Sequence, residues 1–208
     1  MTTSKTDNKL ETFYFQDRKA WREWLDKNHD SSPSIWLIVY KKNSGKIGVS
    51  LEDVVEEALC FGWIDSKLNV VDEKRFKLLL TPRKPKSIWS KQNKQRAEKL
   101  IQQGLMMAAG LKKIEATKKD GSWNRLDAIE EFRLPEDFRK ALAAEKNALK
   151  NFETFSNSLK KQTLWWIENA KKPETRLRRI QQTVTMAAQN RKEVHSSSYL
   201  DFMKTCQL

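Results

Sequence analysis

Ser34 to Lys41 is the stretch that most restricts what this chain can fold into. Its centre, Ile35-Trp-Leu-Ile-Val-Tyr40, is β-branched and aromatic, with apolar residues at odd and even positions alike. Asp30-Ser-Ser-Pro33 and Asn43-Ser-Gly45 bracket it with turn-forming residues. A run apolar on both faces fits a central strand covered on each side. It is also the longest apolar stretch, and it is far too short to cross a bilayer. The chain therefore needs a sheet, and helices to cover it.

The flanking residues supply both. Thr12-Phe-Tyr-Phe15 reads as a short strand. Asp17 can cap a helix that places Ala20, Trp21, Trp24 and Leu25 on one face. Ser50 opens the clearest helix, where Leu51, Val54, Val55, Ala58 and Leu59 keep the 3.6-residue period and Gly62 ends it. On that helix Glu56 and Glu57 fall on the outer face, where solvated charge is expected. Trp63 to Val71 and Arg75 to Thr81 form a strand pair around Asp72-Glu73-Lys74.

From Ser87 onward the pattern is helical. Ser87 caps a helix to about Gln103 that Gly104 stops, and another covers Ala109 to Lys119. Residues 122–134 read as a linker. Pro135 then starts a helical region with Phe138, Leu142 and Phe152 as core candidates. A helix begins at Ser158, and Leu177, Ile180 and Val184 form the inward stripe of the last one. The expected fold class is α+β: a small, mainly antiparallel sheet with packed helices in the N-terminal half and an all-helical C-terminal half. The expected division is a flexible tail over 1–10, an α+β domain over 11–121 and a helical region over 135–192. That region either stands apart or packs as one unit with the first.

Charge decides where to look for function. The 208 residues carry a formal charge of +13 with a pI near 9.7, an excess that favours nucleic acid, an anionic membrane or a small anion as partner. It is concentrated in two places. Residues 82–99 hold seven Lys or Arg against one Glu. There the loop Arg83-Lys84-Pro-Lys86 runs into the Ser87 cap and Trp89, so cations stand beside the unpaired N–H groups of a helix start, which is an anion site in waiting. Trp63 and Trp89 could wall it, Asn93 lies on the helix behind it, and Asp65 could pair with Arg83 or Lys86 to shape the loop. Residues 171–192 again hold seven positive against one negative, with Arg176 and Arg179 sharing one helical face with Gln182.

Other chemistry is thinly supported. His29 and His195 are the only histidines and neither has ligand-type neighbours at metal spacing. Cys60 sits in an apolar helix and reads as a small buried hydrophobe. There is no nucleophile elbow, Walker loop or dinucleotide fingerprint, so no cofactor is expected. Cys60 and Cys206 lie in unlike settings that make no disulfide framework, and the first ten residues lack an apolar signal core. Both point to the cytoplasm.

Three phrases carry a resemblance. Ala58-Leu-Cys-Phe-Gly-Trp-Ile-Asp65, Thr81-Pro-Arg-Lys-Pro-Lys-Ser-Ile-Trp-Ser90 with Asn93, and Ala170-Lys-Lys-Pro-Glu-Thr-Arg176-Leu-Arg-Arg-Ile180 resemble the YdeI/OmpD-associated, bacteriocin-protection family, over about Phe13 to Arg191. The third phrase also resembles a group of small iron-chaperone-like proteins, but that role would want an acidic patch and this chain is basic. The family's name rests on porin and peptide-stress associations, so the resemblance implies a stress-related protein and assigns no catalytic residue. Three readings follow: a non-catalytic binder of a small anionic or phosphorylated ligand at the Arg83 loop, a sequence-independent nucleic-acid binder using both clusters, or an enzyme of unfamiliar type using Asp65 as a base.

Overall fold

Four strands find their places through their edges and their pleat. In the computed structural model, which describes residues 10–192, they are β1 (Thr12–Tyr14), β2 (Ile35–Tyr40), β3 (Trp63–Val70) and β4 (Arg75–Pro82), joined in the order β1-β2-β4-β3. The β2–β4 and β3–β4 pairs are antiparallel and the short β1 runs parallel to β2. The sheet is thus mainly antiparallel, with helices in both halves, and the chain is α+β. β2 is an inner strand, as its composition requires. Only one of its faces is sealed, however: Ile35, Leu37 and Val39 are buried while Trp36, Ile38 and Tyr40 are half-buried. Lys77 Nζ covers part of that second face, 4.5 Å from the Trp36 ring centroid.

Helices α1 (Arg18–Asn28) and α2 (Leu51–Cys60) start at the expected caps. Asp17 accepts from the Ala20 N–H at 2.8 Å and Ser50 Oγ from the Asp53 N–H at 3.1 Å. They bury Trp21 and Leu25, and Val54, Val55, Ala58 and Leu59, in one core with β2 and β4. Glu56 and Glu57 depart from the solvated face expected of them. They are 4% and 1% exposed, because arginines from α1 reach across to them. Arg18 donates to Asp53, Glu56 and Glu57 at 2.9, 2.8 and 2.6 Å, and Arg22 to Glu57 at 2.6 Å.

The next helix, α3 (Lys91–Gln102), begins later than expected. Its cap is Ser90, whose hydroxyl accepts from the Asn93 N–H at 3.2 Å, and not Ser87. Lys86 turns the chain through left-handed backbone, φ 60°, and residues 87–90 form no helix, with Trp89 buried just before the Ser90 cap. Lys99 Nζ, near the end of α3, reaches Glu56 at 3.1 Å. Helix α4 (Ala108–Lys119) lies against the end of α2. The contact is at backbone distance: a Cβ on Gly110 would come within 2.4 Å of the Cys60 carbonyl oxygen.

Clustering divides the chain into two compact units, the first through Asn124 and the second from Arg125 onward. The stretch expected as a linker is instead ordered, with a 3-10 turn at Ser122–Asn124, a short helix α5 (Asp127–Glu130), and Trp123, Leu126 and Ile129 buried. Elements this short complete no helical period and escape pattern reading. The second unit continues with α6 (Glu136–Ala144), α7 (Ala148–Glu153), α8 (Asn157–Glu168) and α9 (Pro173–Ala188). Phe138, Phe152 and Phe155 form its aromatic centre, with centroids 5.3 and 5.5 Å apart. Helix α8 is capped by Ser156 rather than opened by Ser158. On α9 the inward line is Ile180, Thr183, Met186 and Ala187, while Leu177, expected inside, is 57% exposed in the first turn. Residues 1–9 of the expected tail, His195 and Cys206 lie outside the described residues. Among the described residues no helix is long and apolar enough to cross a membrane.

Replacing Glu57 by Ala removes one carboxylate partner from each of two arginines, leaving Arg18 on Asp53 and Glu56 and Arg22 on the Leu105 carbonyl. It should cost about 3 kcal/mol in urea unfolding, the low end for breaking a buried pair, because both arginines stay about a third exposed. Glu57→Gln, which keeps the side-chain volume and one of the two acceptor oxygens, should cost measurably less.

Candidate functional site

The Arg83 loop is built by the far end of the β3–β4 ladder. The Arg83 N–H donates to the Gly62 carbonyl at 2.9 Å, extending the pairing one residue past β4 and directing the side chain inward. There the guanidinium, 1% exposed, lies 3.7 Å from the Trp89 ring centroid, and Nη1 donates to the Ile88 carbonyl at 3.4 Å. Trp89 in turn rests on Trp123, 4.8 Å between centroids. This stack holds the loop. The Asp65 pairing expected for that purpose is not what fixes it.

Asp65 reaches the same place from β3. A bulge between Asp65 and Lys67 inserts Ser66 into the ladder. Ahead of it Trp63 and Asp65, two residues apart, share the inward face by ordinary strand alternation, and beyond it the phase shifts. Asp65 is 2% exposed, and burial pushes its carboxyl above the ordinary range against its own backbone N–H and the charges of Arg96 and Arg83. Its Oδ2 and the Trp89 Nε1 are both buried and have no hydrogen-bond partner among the described residues. Asn93, 1% exposed, accepts from Arg96 Nη1 at 3.1 Å.

Of the residues singled out in the sequence, Asp65, Arg83, Trp89 and Asn93 are therefore brought together in the interior. Lys84 and Lys86 stand exposed above them and Ser87 is half-buried, its N–H donating to the Lys84 carbonyl at 3.2 Å. The loop is also tied to the end of α4. Asp120 is held below the ordinary carboxylate range chiefly by the Ser122 hydroxyl and N–H, with the Lys86 N–H and charge adding to them. Trp63 belongs elsewhere, since its Nε1 donates to the His29 carbonyl at 3.0 Å. Arg96, Ser90 and Trp123 complete the cluster without having been marked as site residues. Ser90 could have been found, because Asn93, Ala97 and Leu100 are the buried line of α3 and Ser90 sits three residues before it.

The second cluster is spent inside its own unit. Arg176 donates to both oxygens of Asp137, at 2.7 and 3.0 Å, and to Glu168 at 3.2 Å. Arg179 donates to the Trp166 carbonyl and lies 5.0 Å from that ring's centroid. Cys60 is fully buried, and burial together with the Glu57 charge pushes its thiol up to about 11, which suits a packed side chain and not a nucleophile. Among the described residues no group of three or more His, Cys, Asp or Glu is placed to hold a metal ion.

This geometry defines a basic α+β unit with a buried arginine–tryptophan site, followed by a helical unit. Residues 131–190 match the family described as Bacteriocin-protection, YdeI or OmpD-Associated, and the chain carries a YdeI/OmpD-associated domain there. Residues 13–113 match a second family, described as Domain of unknown function (DUF8412). The Ala170–Ile180 phrase falls within the first match, and the phrases around Trp63 and Arg83 fall within the second. Comparison with curated proteins and with solved structures gives no match.

Asp65 sets a pH dependence. In the unfolded chain it loses its proton in the ordinary carboxylate range, and in the folded protein only at higher pH. The folded state thus binds more protons between those two values, and stability should fall as pH rises through that window. Asp65→Asn should remove this contribution, seen as a flatter dependence of the urea midpoint on pH above the carboxylate range.

Proposed function

We propose that the first unit is a non-catalytic binding module for a small anionic or phosphorylated ligand, received where the Arg83 loop meets the start of α3. The observation that carries this reading is the buried Arg83 guanidinium laid on Trp89 beside a carboxyl that burial drives toward its neutral form. A guanidinium in a low-dielectric setting attracts an anion more strongly than one in water. Lys84 and Lys86 at the surface would draw that anion in, and the N-terminal amides of α3 would add donors.

The competing readings gain less support. Arg176 and Arg179 already serve Asp137, Glu168 and Trp166, which removes much of the second basic surface a polynucleotide would need. A base at Asp65 would have to be ionised, whereas burial shifts it toward protonation. The proposal extends to a stress-related role, supported by the family description alone, and to a cytoplasmic location, supported by the free buried thiol of Cys60.

A thermal-shift series against phosphate, sulfate, phospho-sugars, nucleotides and short oligonucleotides tests the reading. A ligand at about 100 times its Kd should stabilise by about 2.7 kcal/mol, several degrees in melting temperature. The gain should be selective, shrink in the Lys84→Ala/Lys86→Ala double variant and persist in Arg176→Ala. Gains from oligonucleotides alone, erased by moderate salt, would overturn it in favour of nucleic-acid binding.

A further inference from the structure

A second cleft lies on the other side of Trp63, where the start of β3 meets α4. We propose that it is a binding site for a small aromatic monocarboxylate. The cleft encloses about 330 Å³, at the small end for ligand sites and right for a single ring with one substituent.

Its shape follows from small residues at close quarters. Gly62 takes φ 75°, and a Cβ there would press to 2.8 Å from Lys113 Cγ and 3.1 Å from the Ala109 carbonyl oxygen. Glycine therefore lets α4 lie directly against the turn before β3. Ala109 and Ala116, two turns apart on α4, face the cleft, and as alanines they leave open the volume that larger side chains would fill. Pro82 closes the opposite wall, with the edges of Phe61 and Trp63 beneath. These walls are apolar in effect as well as in name, because Trp63 Nε1 is already used by the His29 carbonyl and offers the cleft no donor.

The charge at the rim has one dominant sign. Lys112 and Lys113 both line the cleft. At the other end the His29 ring is fixed, since the Leu25 carbonyl can only accept and Nδ1 must donate to it at 2.9 Å. This leaves Nε2 at the rim, 3.4 Å from Asp30 Oδ2. Asp30 is the single carboxylate among the lining residues and is turned out to solvent, its side chain 92% exposed. An inorganic anion would satisfy the lysines and leave the apolar walls wet. A neutral ring would cover the walls and leave the lysines unused. An aromatic carboxylate does both, with its ring against Pro82 and the alanines and its carboxylate on the two ammonium groups.

The site is independent of the Arg83 loop and is tested with separate residues. In an NMR-detected titration of the full chain, benzoate should shift the amides of residues 109–116 saturably. Benzamide, its neutral counterpart, should bind at least about ten times more weakly, as should benzoate to the Lys112→Ala/Lys113→Ala double variant. Ala116→Trp, whose indole would occupy the cleft, should abolish the response. Lys84→Ala/Lys86→Ala should bind benzoate like the unaltered protein. Positions 112 and 116 are exposed and 113 half-buried, and a thermal melt checks that each variant folds. Absence of saturable benzoate shifts would overturn the proposal. So would equal affinity for benzamide, binding that survives both α4 variants, or binding lost in the Lys84/Lys86 variant.

Discussion

Two adjacent carboxylates on α2, both buried, organise the first unit. Glu57 is held by Arg18 and Arg22, and Glu56 by Arg18 and by Lys99 of α3. Arg22 continues past them, donating to the Leu105 carbonyl at 2.9 Å in the connection that leads to α4. One set of charges therefore ties α1, α2, α3 and the approach to α4 together over the sheet. Such a network contributes less net stability than an apolar core of the same volume, because each ion gives up its water. Its geometric demand is what matters here. With α2 fixed between α1 and α3, the Cys60 carbonyl meets Gly110, α4 settles against Gly62, and α3 presents its first turn to Arg83.

The apolar skeleton was legible from the sequence and the polar interior was not. Ile35–Tyr40, the Asp17 and Ser50 caps and the β3–β4 pair rest on local signals: side-chain period, cap chemistry and turn residues. Glu56 and Glu57 rest on partners 35 to 43 residues away in sequence. A helical period separates an apolar face from a polar one, but it cannot tell a solvated carboxylate from one whose counter-ion arrives on another helix. The start of α3 fails for a related reason. Ser87 and Ser90 are equally good caps by residue type, and it is the fold, with Trp89 stacked on Arg83 just before α3, that selects Ser90. Of the candidate site, the charge run and its tryptophan could be read directly. Asp65 shares the inward face of its strand with Trp63 by simple alternation, but its burial beside Arg83 depends on the distant loop, and the stacking partner Trp123 lay in a stretch that carried no helical period.

The two basic segments show what a count of charges leaves out. Residues 82–99 and 171–192 each hold seven cations and one carboxylate, and their fates diverge with their surroundings. In the second unit Asp137 and Glu168 sit within reach of Arg176, and the Trp166 carbonyl and ring take up Arg179. Those two arginines stitch α9 to α6 and α8, while Lys171, Lys172, Arg178 and Lys192 stay exposed. In the first unit Lys99 is drawn to Glu56, whereas Lys84, Lys86 and Lys91 stand exposed around a guanidinium at 1% exposure. The nearest interior carboxyl, Asp65, is itself pushed toward neutrality by burial. Equal counts of charge therefore leave different surfaces, set by which carboxylates, carbonyls and rings the fold brings within reach of each cation.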